Sequence, residues 1–565
     1  MARATYDAVI VGGGHNGLVA AWYLADAGLR VIVLERRELV GGPSARKEFF
    51  PGYHAAFTNS PSQLEARVIR DMELERFGLR FLSNDPSVVV PFPDGRRFEG
   101  WRDPVRLKAS LAQFSKQDAE RYHLFSAYVD RLARTIGVSI FADPPSLKDI
   151  VSKLTTEADE DAFVRLFFGS VRELMDEWFE SEEIKSLVGM VGIMGNTIAP
   201  SAPGSAFALM IRAMSKASDR MDFALANPGV EEEADTGADF EQGKRGVRGG
   251  LVKGGPGSIV AAMRTSIEAR GATVRTDAEV TEIVTDTSGV RGVLLADGTT
   301  IEARLVLSNL NPHTTFGQLI DPSCLEPPLL KRVMARPMLG SQGKLVLALD
   351  GVPTYRGVED PDLARRLVSC AFRIAPTLDY IERAYAEGLL GQVPTEPMLW
   401  ATTPSMVDPS LAPAGKQLMN VSIQTVPYKL AANDWSEKRD ELARNCIDVL
   451  AKYFPDIKSQ IVDYRCFTPA DLEQEFGLIG SNIMHGDFLP ANAFSWRPLR
   501  ELSRYRTPIA GLYLCGSGTW PWGLVSGVPG YNAGHQVLKD LAAGRSSRSN
   551  QPKYSAKASL KLETR

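Results

Sequence analysis

The sequence predicts an α/β fold with a discontinuous first domain, a second α+β domain and a helical insertion. Three observations predict it: a strand–turn–helix–strand pattern opens the chain, a long helical stretch follows at roughly 105–245, and strand patterns return at 254–310 and 506–541. The 565 residues exceed what one hydrophobic core supports and correspond to about three or four domain-sized units.

The opening pattern is a β-α-β unit. The apolar run YDAVIV (6–11) ends at Gly12, helical periodicity covers 18–27 before Gly28, and a second strand over 30–34 ends at Glu35. This order of elements is typical of a Rossmann-like domain.

The turn after the first strand reads GGGHNG (12–17) and satisfies G-x-G-x-x-G. In such a turn the first glycine allows a tight bend, the second lets a pyrophosphate approach the backbone, and the third lets helix and strand pack closely. Glu35 follows Gly17 by 18 residues, at a strand end where a carboxylate can accept hydrogen bonds from ribose hydroxyls. The unit therefore predicts a dinucleotide site.

Three further features favour FAD over NAD. A second glycine pair, Gly41-Gly42, follows Arg36 just past the second strand and suits an extended cofactor. Residues 506–541 read as a strand, a glycine-rich loop and a helix whose N-terminus can stabilise negative charge on a reduced flavin. The sequence has no second G-x-G-x-x-G for a separate nicotinamide domain.

The composition excludes several classes of partner. Lys and Arg number 64 against 68 Asp and Glu, a net charge of −4, so we expect no nucleic acid partner. The five cysteines show no C-x-x-C spacing, which indicates neither a disulfide framework nor a metal site. We expect a cytoplasmic protein without a signal segment; peripheral membrane contact and the mitochondrial matrix stay open.

Later segments complete the predicted domains. Strands at 343–350, 397–402 and 416–426 and a helix at 436–454 indicate a second α+β body, whereas the acidic stretch 231–241 is typical of a solvated loop. We assign the FAD domain to 1–100, 245–320 and 495–545, the substrate domain with its insertion to 101–244 and 321–494, and a disordered tail to 546–565.

The segments 9–42 and 512–533 resemble the two FAD-binding ends of the phytoene desaturase-related flavoproteins, and 254–312 resembles the segment that returns to their FAD domain. The block at 477–498 is similar to one in a subgroup that includes pyridine nucleotide-disulphide oxidoreductase domain-containing protein 2. The resemblance implies that the backbone of Val280 meets adenine. The FAD contacts that we predict are Gly12, Gly13, Gly14, Asn16, Gly17, Glu35, Arg36, Gly42, Ser44, Val280, Gly516, Ser517 and Val528.

Two departures from the family argue against a carotenoid substrate. Pro43 stands where many carotene desaturases have Arg, and Pro-Trp-Gly-Leu (521–524) replaces a run of glycines. Without paired cysteines or a nicotinamide motif, we also expect no dithiol reduction.

A few residues outside the cofactor motifs are candidates for a role, each with a structural alternative. His485 is the candidate acid, base or donor, although it also suits a loop anchor. Arg497 either binds an acidic group or, as we favour, anchors its loop; Trp520 and Trp522 either face the flavin or pack in the core. We expect His15 to occupy an exposed position without a role.

These observations predict an FAD-dependent oxidoreductase that transfers hydride between a substrate carbon and flavin N5, giving desaturation or saturation of a C–C bond. The apolar stretches at 161–179 and 184–214 predict a small hydrophobic partner, isoprenoid or lipid-like, entering beneath the insertion. A flavin amine oxidase and an FAD-bearing scaffold protein without turnover are the alternatives.

Overall fold

A computed structural model describes residues 5–59, 64–226, 250–432 and 434–544. Its strands are β1 Thr5–Val11, β2 Val31–Leu34, β3 Lys47–Phe50, β4 Tyr53–Ala55, β5 Phe81–Ser83, β6 Val88–Pro91, β7 Arg97–Glu99, β8 Gly250–Val252, β9 Thr273–Arg275, β10 Val280–Asp286, β11 Gly289–Leu295, β12 Thr300–Ser308, β13 Gly343–Leu349, β14 Ala371–Ile374, β15 Leu399–Thr402, β16 Gln417–Ile423, β17 Ile461–Phe467 and β18 Leu512–Leu514.

The α-helices are α1 His15–Asp26, α2 Ala66–Asp71, α3 Pro104–Ala112, α4 Lys116–Ile136, α5 Leu147–Val151, α6 Glu157–Phe167, α7 Val171–Trp178, α8 Glu182–Ile193, α9 Met210–Ala226, α10 Gly257–Ala269, α11 Pro312–Gly317, α12 Pro327–Met334, α13 Pro361–Val368, α14 Leu378–Leu389, α15 Trp435–Tyr453, α16 Ile457–Gln460, α17 Pro469–Phe476 and α18 Val528–Ala542. None of the helices in the described ranges is long and apolar enough to cross a membrane.

The first sheet has the strand order β10-β11-β12-β1-β2-β9, with β18 also paired to β12. Strands β18, β12, β1, β2 and β9 run parallel, and the β10–β11 hairpin is antiparallel. Successive side chains of a strand point to opposite faces, so Ala8 and Ile10 pack with α1, α10 and α18, whereas Val9 and Val11 pack with α11 and α12. The α/β, Rossmann-like fold is confirmed.

The glycine turn between β1 and α1 depends on residues without side chains. Gly12 has φ +95°, in the left-handed region that glycine adopts without strain. Further along, a Cβ at Gly530 would overlap the backbone oxygen of Asn16, so Gly530 lets α18 lie directly against α1. Helices α1 and α18, from the first and the last part of the described chain, therefore meet beside the turn.

The second sheet has the order β17-β13-β16-β15-β14-β6-β7 and is antiparallel except between β14 and β6. One face carries apolar residues such as Phe372, Leu399 and Val421, which form a core with α13 and α15. The α+β body expected from the sequence is present, with β13, β15, β16 and α15 within three residues of the expected bounds.

The division into domains differs from the expected one at two places. Helix α12, which we assigned to the substrate domain, packs on the first sheet through Leu329 and Val333. Strands β6 and β7, which we assigned to the FAD domain, pair within the second sheet, because Val88 and Val89 lie in register with Ala371 and Phe372 of β14. The other boundaries stay predictions. The acidic stretch 231–241 and the tail 546–565 lie outside the described residues.

Helices α3 to α9 form the insertion. Phe163, Phe167, Met190 and Met210 are buried in the cluster that also holds the α1 side of the first sheet. These four side chains belong to a core, whereas Phe168 of the same stretch is exposed.

Candidate functional site

A cavity of about 560 Å³ lies where the first sheet, the second sheet and the insertion meet. Each of these three bodies supplies a different chemistry to its wall: the first sheet supplies the glycine turn and Glu35, the second sheet supplies polar side chains, and the insertion supplies apolar ones. We describe the three walls in turn.

The wall from the first sheet is built around Glu35, at the end of β2. The two oxygens of its buried carboxylate accept hydrogen bonds from the backbone N–H groups of Gly13 (2.9 Å) and Arg37 (3.1 Å). The backbone N–H of Ala278 donates to the backbone oxygen of Glu35 (2.9 Å), which brings Val280 to the same wall. The carboxylate is thus held in a fixed orientation beside the cavity.

The helix N-terminus of α1 opens onto this wall. Gly14 is the N-cap residue of α1 and lines the cavity together with Gly12 and His15. The first N–H groups of a helix have no partner within the helix and attract phosphate oxygens. A pyrophosphate next to Gly14 would therefore meet both free N–H donors and the positive end of the helix dipole.

The last segment of the chain completes the same wall. Nδ2 of Asn16 donates to Oγ of Ser517 (3.2 Å), and Nε2 of His15 hydrogen-bonds to the backbone oxygen of Leu524 (3.0 Å). These two hydrogen bonds join the loop before α18 to the glycine turn and the start of α1.

The structure brings the predicted cofactor residues together. Eight of them line the cavity: Gly12, Gly14, Glu35, Arg36, Gly42, Ser44, Val280 and Ser517. The others, which lie in the turns and helix starts next to this wall, are Gly13, Asn16, Gly17, Gly516 and Val528. A carboxylate, a helix N-terminus and glycine backbone beside one cavity fit FAD, although the individual contacts stay predictions.

The wall from the second sheet carries a row of polar side chains. Arg373 (β14) lies opposite Trp400 (β15), Trp400 opposite Ser422 (β16), and Ser422 opposite Lys344 (β13). Directly opposed residues of adjacent strands place their side chains on the same face. We call these four residues the polar row.

Lys344 is fully buried beside the cavity. Its Nζ donates to Oδ1 of Asn59 and to Oγ of Ser422 (3.3 Å), and it lies 5.2 Å from the ring centre of Phe57. Burial lowers the pKa of the Lys344 amine well below its ordinary value, because charging a group in an apolar medium is costly. Lys344 thus links Asn59 and Ser422 beside the cavity.

Two glutamines close the edge of this wall. Gln342 and Gln424 exchange reciprocal amide hydrogen bonds of 2.9 Å, and both line the cavity. The backbone N–H of Gly195, at the end of the insertion helix α8, donates to Oε1 of Gln424 (3.3 Å). This contact joins the polar wall to the apolar one.

The wall from the insertion is apolar. Val191, Met194, Ala208, Leu209 and Ile211 line the cavity from α8, the turn before α9 and the first turn of α9. Arg212 is a charged neighbour on the same helix. The insertion thus supplies a surface that an apolar molecule can contact.

His485 lines the cavity, as expected of a candidate that reaches the substrate or flavin. No described residue hydrogen-bonds to its Nδ1, and burial, with smaller effects of Arg497 and His15, lowers its pKa to about 4. The imidazole is therefore neutral at neutral pH and has a lone pair available. Its catalytic role stays a prediction.

Arg497 is the loop anchor that we favoured. It is fully buried, and its guanidinium donates to backbone oxygens of Met484 (2.5 Å), Gly486 (2.9 Å), Ser517 (2.8 Å) and Thr519 (3.1 Å). Burial lowers its pKa to about 9. The loop that carries His485 is thus joined to the loop before α18.

The expectation for His15 was wrong. Its ring is half-buried at the cavity wall and hydrogen-bonded to the backbone oxygen of Leu524, and burial lowers its pKa to about 4.

Trp520 and Trp522 pack in the core, which was one of the two expected alternatives. Both are buried, Trp520 against Phe494 and Trp522 against Phe488. Neither is among the residues that line the cavity.

Sequence reasoning missed the polar row. The available signal was a single cation in an otherwise apolar strand, Lys344 in GKLVLAL and Arg373 in AFRI. Such a residue breaks the pattern of a strand that is buried on both faces.

Fold and cavity together define an FAD-dependent oxidoreductase. The chain belongs to the flavin containing amine oxidoreductase family, whose model matches residues 17–528.

Relatives agree with this assignment. The chain is 29% identical to pyridine nucleotide-disulfide oxidoreductase domain-containing protein 2 of Rattus norvegicus, over 95% of this chain and 94% of that protein. It is 25% identical to the lycopene-forming phytoene desaturase of Pseudescherichia vulneris, over 94% and 98%. An oxidoreductase structure from Methanosarcina mazei aligns with a TM-score of 0.57 and 17% identity, over 94% and 100%, and so shares the fold. The resemblance found in the sequence is confirmed.

Proposed function

We propose that this oxidoreductase transfers a hydride between a carbon of a hydrophobic, isoprenoid- or lipid-like substrate and the flavin, and so desaturates or saturates a carbon–carbon bond. The observation that carries the proposal is one cavity that joins the Glu35 wall to the apolar residues Val191, Met194 and Leu209. Bound FAD supplies the two-electron exchange. The chain supplies the orientation of the substrate and a wall that excludes water.

His485 is the proton-handling residue in this proposal. Desaturation removes two hydrogens from adjacent carbons, one as hydride and one as a proton. The low pKa of His485, about 4, keeps its imidazole neutral, so one of its ring nitrogens can accept a proton beside the cavity. Arg497 holds the loop of His485 through the backbone oxygen of Met484.

The experiment is an anaerobic screen of isoprenoids, lipids and amines against the FAD-loaded protein, with bleaching of the flavin absorbance as the readout. We expect an isoprenoid or a lipid to bleach the flavin, and the product to differ by two hydrogens. Bleaching by amines alone would contradict the proposal and favour an amine oxidase, the alternative suggested by the family description.

Paired variants then test the route of the substrate. Val191→Trp places a bulky ring on the cavity wall, whereas Val164→Trp lies on the exposed face of α6 in the same insertion. We expect the first variant to lose bleaching by the substrate while keeping its FAD, and the second to behave as the parent protein. Equal activity of the two would show that substrate does not pass beneath the insertion.

The remaining alternative is a scaffold protein that binds FAD without turnover. In that case dithionite would reduce the flavin and every organic compound of the screen would fail.

A further inference from the structure

We propose that the substrate is an apolar molecule that ends in a carboxylate, and that the polar row binds this carboxylate through Arg373. The inference rests on the hydrophobic substrate proposed above and adds the chemical group by which that substrate is recognised.

The first argument is the position of Arg373. It is 5% exposed, and its small accessible part contributes to the cavity wall. Its neighbours on the strand, Phe372 and Ile374, point to the opposite face and belong to the core of the second sheet. The alternation of the strand therefore places one cation on the cavity side of an otherwise apolar strand.

The second argument is how Arg373 is held. Its guanidinium carbon lies 5.4 Å from the ring centre of Trp400, the residue directly opposite on β15. An arginine stacked on an aromatic ring keeps a fixed plane, and its five N–H donors match the two oxygens of a carboxylate. The number of donors leaves room for a carboxylate beside the contacts that Arg373 makes within the protein.

The third argument is the chemistry of the rest of the row. Beyond Trp400 come Ser422 and Lys344, and Asn59 bridges the row because it accepts from Nζ of Lys344 and donates from Nδ2 to the backbone oxygen of Trp400 (3.0 Å). None of the four residues of the row carries negative charge. A carboxylate would find donors here, whereas an ammonium group would face a guanidinium.

The fourth argument is the opposite wall. Val191, Met194 and Leu209 of the insertion line the same cavity as Arg373, Trp400 and Ser422 of the polar row. A molecule that contacts both walls favourably has an apolar body for the insertion and a compact anionic end for the polar row. A hydrocarbon without such an end would complement the apolar wall but not the polar one.

Isothermal titration calorimetry with the FAD-loaded protein tests the proposal independently of turnover. The probes are laurate, 1-dodecanol and dodecylamine, which share one chain length and differ in their end group. We expect laurate to bind about 10- to 100-fold more tightly than dodecanol, the range of a hydrogen-bonded charged group, and dodecylamine to bind most weakly.

Variants assign the preference to Arg373. Arg373→Met keeps a long apolar side chain and should make laurate and dodecanol bind equally, and Arg373→Lys should restore part of the difference. Arg365→Met removes one positive charge from the exposed face of α13 and should change nothing. The melting temperature and the FAD content of each variant show that it is folded.

Three results would overturn the proposal: dodecanol or dodecylamine binding as tightly as laurate, a preference for laurate that survives in folded Arg373→Met, or no binding of any probe. The hydride-transfer proposal can be wrong even when the carboxylate site is right. If laurate binds through Arg373 but no compound of the screen bleaches the flavin, the carboxylate site stands and the hydride-transfer proposal falls.

Discussion

Asn16 and Ser517 are 501 residues apart in sequence, yet Nδ2 of the first donates to Oγ of the second over 3.2 Å. The hydrogen bond joins the glycine turn that follows β1 to the loop that follows β18. Both residues were predicted as FAD contacts from separate motifs, and their proximity shows that the two motifs form one wall.

Gly14→Val should remove the bound flavin. A Cβ at Gly14 would lie 2.8 Å from Nδ2 of Asn309 and would occupy the space above the N-terminus of α1. The absorbance of the purified variant measures its FAD content. Gly351→Val is the matched control, because a Cβ there meets Oε1 of Gln460 at an ordinary 3.6 Å. A Gly14→Val protein that keeps its full flavin content would disprove the assignment.

Arg497→Met should lower the free energy of unfolding by about 3 kcal/mol or more, because several backbone oxygens would lose a buried charged donor. Denaturant unfolding of the FAD-loaded protein measures this loss. Arg497→Lys should not restore it, since one ammonium lacks the fork of a guanidinium. The exposed Arg500→Met should stay within about 0.5 kcal/mol of the parent protein, and an equal loss in both variants would refute the anchor.

The histidines of the cavity should make the protein less stable in acid. His15 and His485 have a pKa of about 4 in the fold, below about 6.5 in an unfolded chain, so the unfolded chain binds protons first as the pH falls. The free energy of unfolding should therefore be highest above about pH 6.5 and decrease as the pH falls toward 4.

Melting temperatures across this range measure the effect. The double variant His15→Gln, His485→Gln should lose less stability in acid than the parent protein. The exposed His123→Gln is the control and should follow the parent curve. Parallel curves for all three proteins would contradict the assignment.

One of the five cysteine thiols should react rapidly with a thiol-specific reagent, and the other four should be protected by burial. Cys324 is exposed, whereas Cys370, Cys446, Cys466 and Cys515 are buried, and burial raises the pKa of each of the four. A thiol-specific dye should label one cysteine rapidly in the native protein and five after unfolding. Cys324→Ser should abolish the rapid phase. Rapid labelling of a second thiol would show that a buried cysteine is accessible.

The local parts of the site could be predicted from the sequence, and the distant parts could not. Glu35 and the glycine turn are set by one β-α-β unit, whose spacing is visible in about 30 residues. The polar row depends on the register of four strands between Lys344 and Ser422, in which the chain order β13, β14, β15, β16 differs from the spatial order. His15 was misjudged for a similar reason, because its partner Leu524 lies 509 residues further on.

The pairing of β18 with β12, and of β12 with β1, has a consequence for synthesis in the cell. The ribosome releases the glycine turn at the start of translation and the loop of Ser517 near its end. At about 5–20 residues per second, the 501 residues between Asn16 and Ser517 take roughly 25–100 s. During that interval the nascent chain holds half of its FAD site, so the cofactor can be captured only after nearly the whole polypeptide has been made.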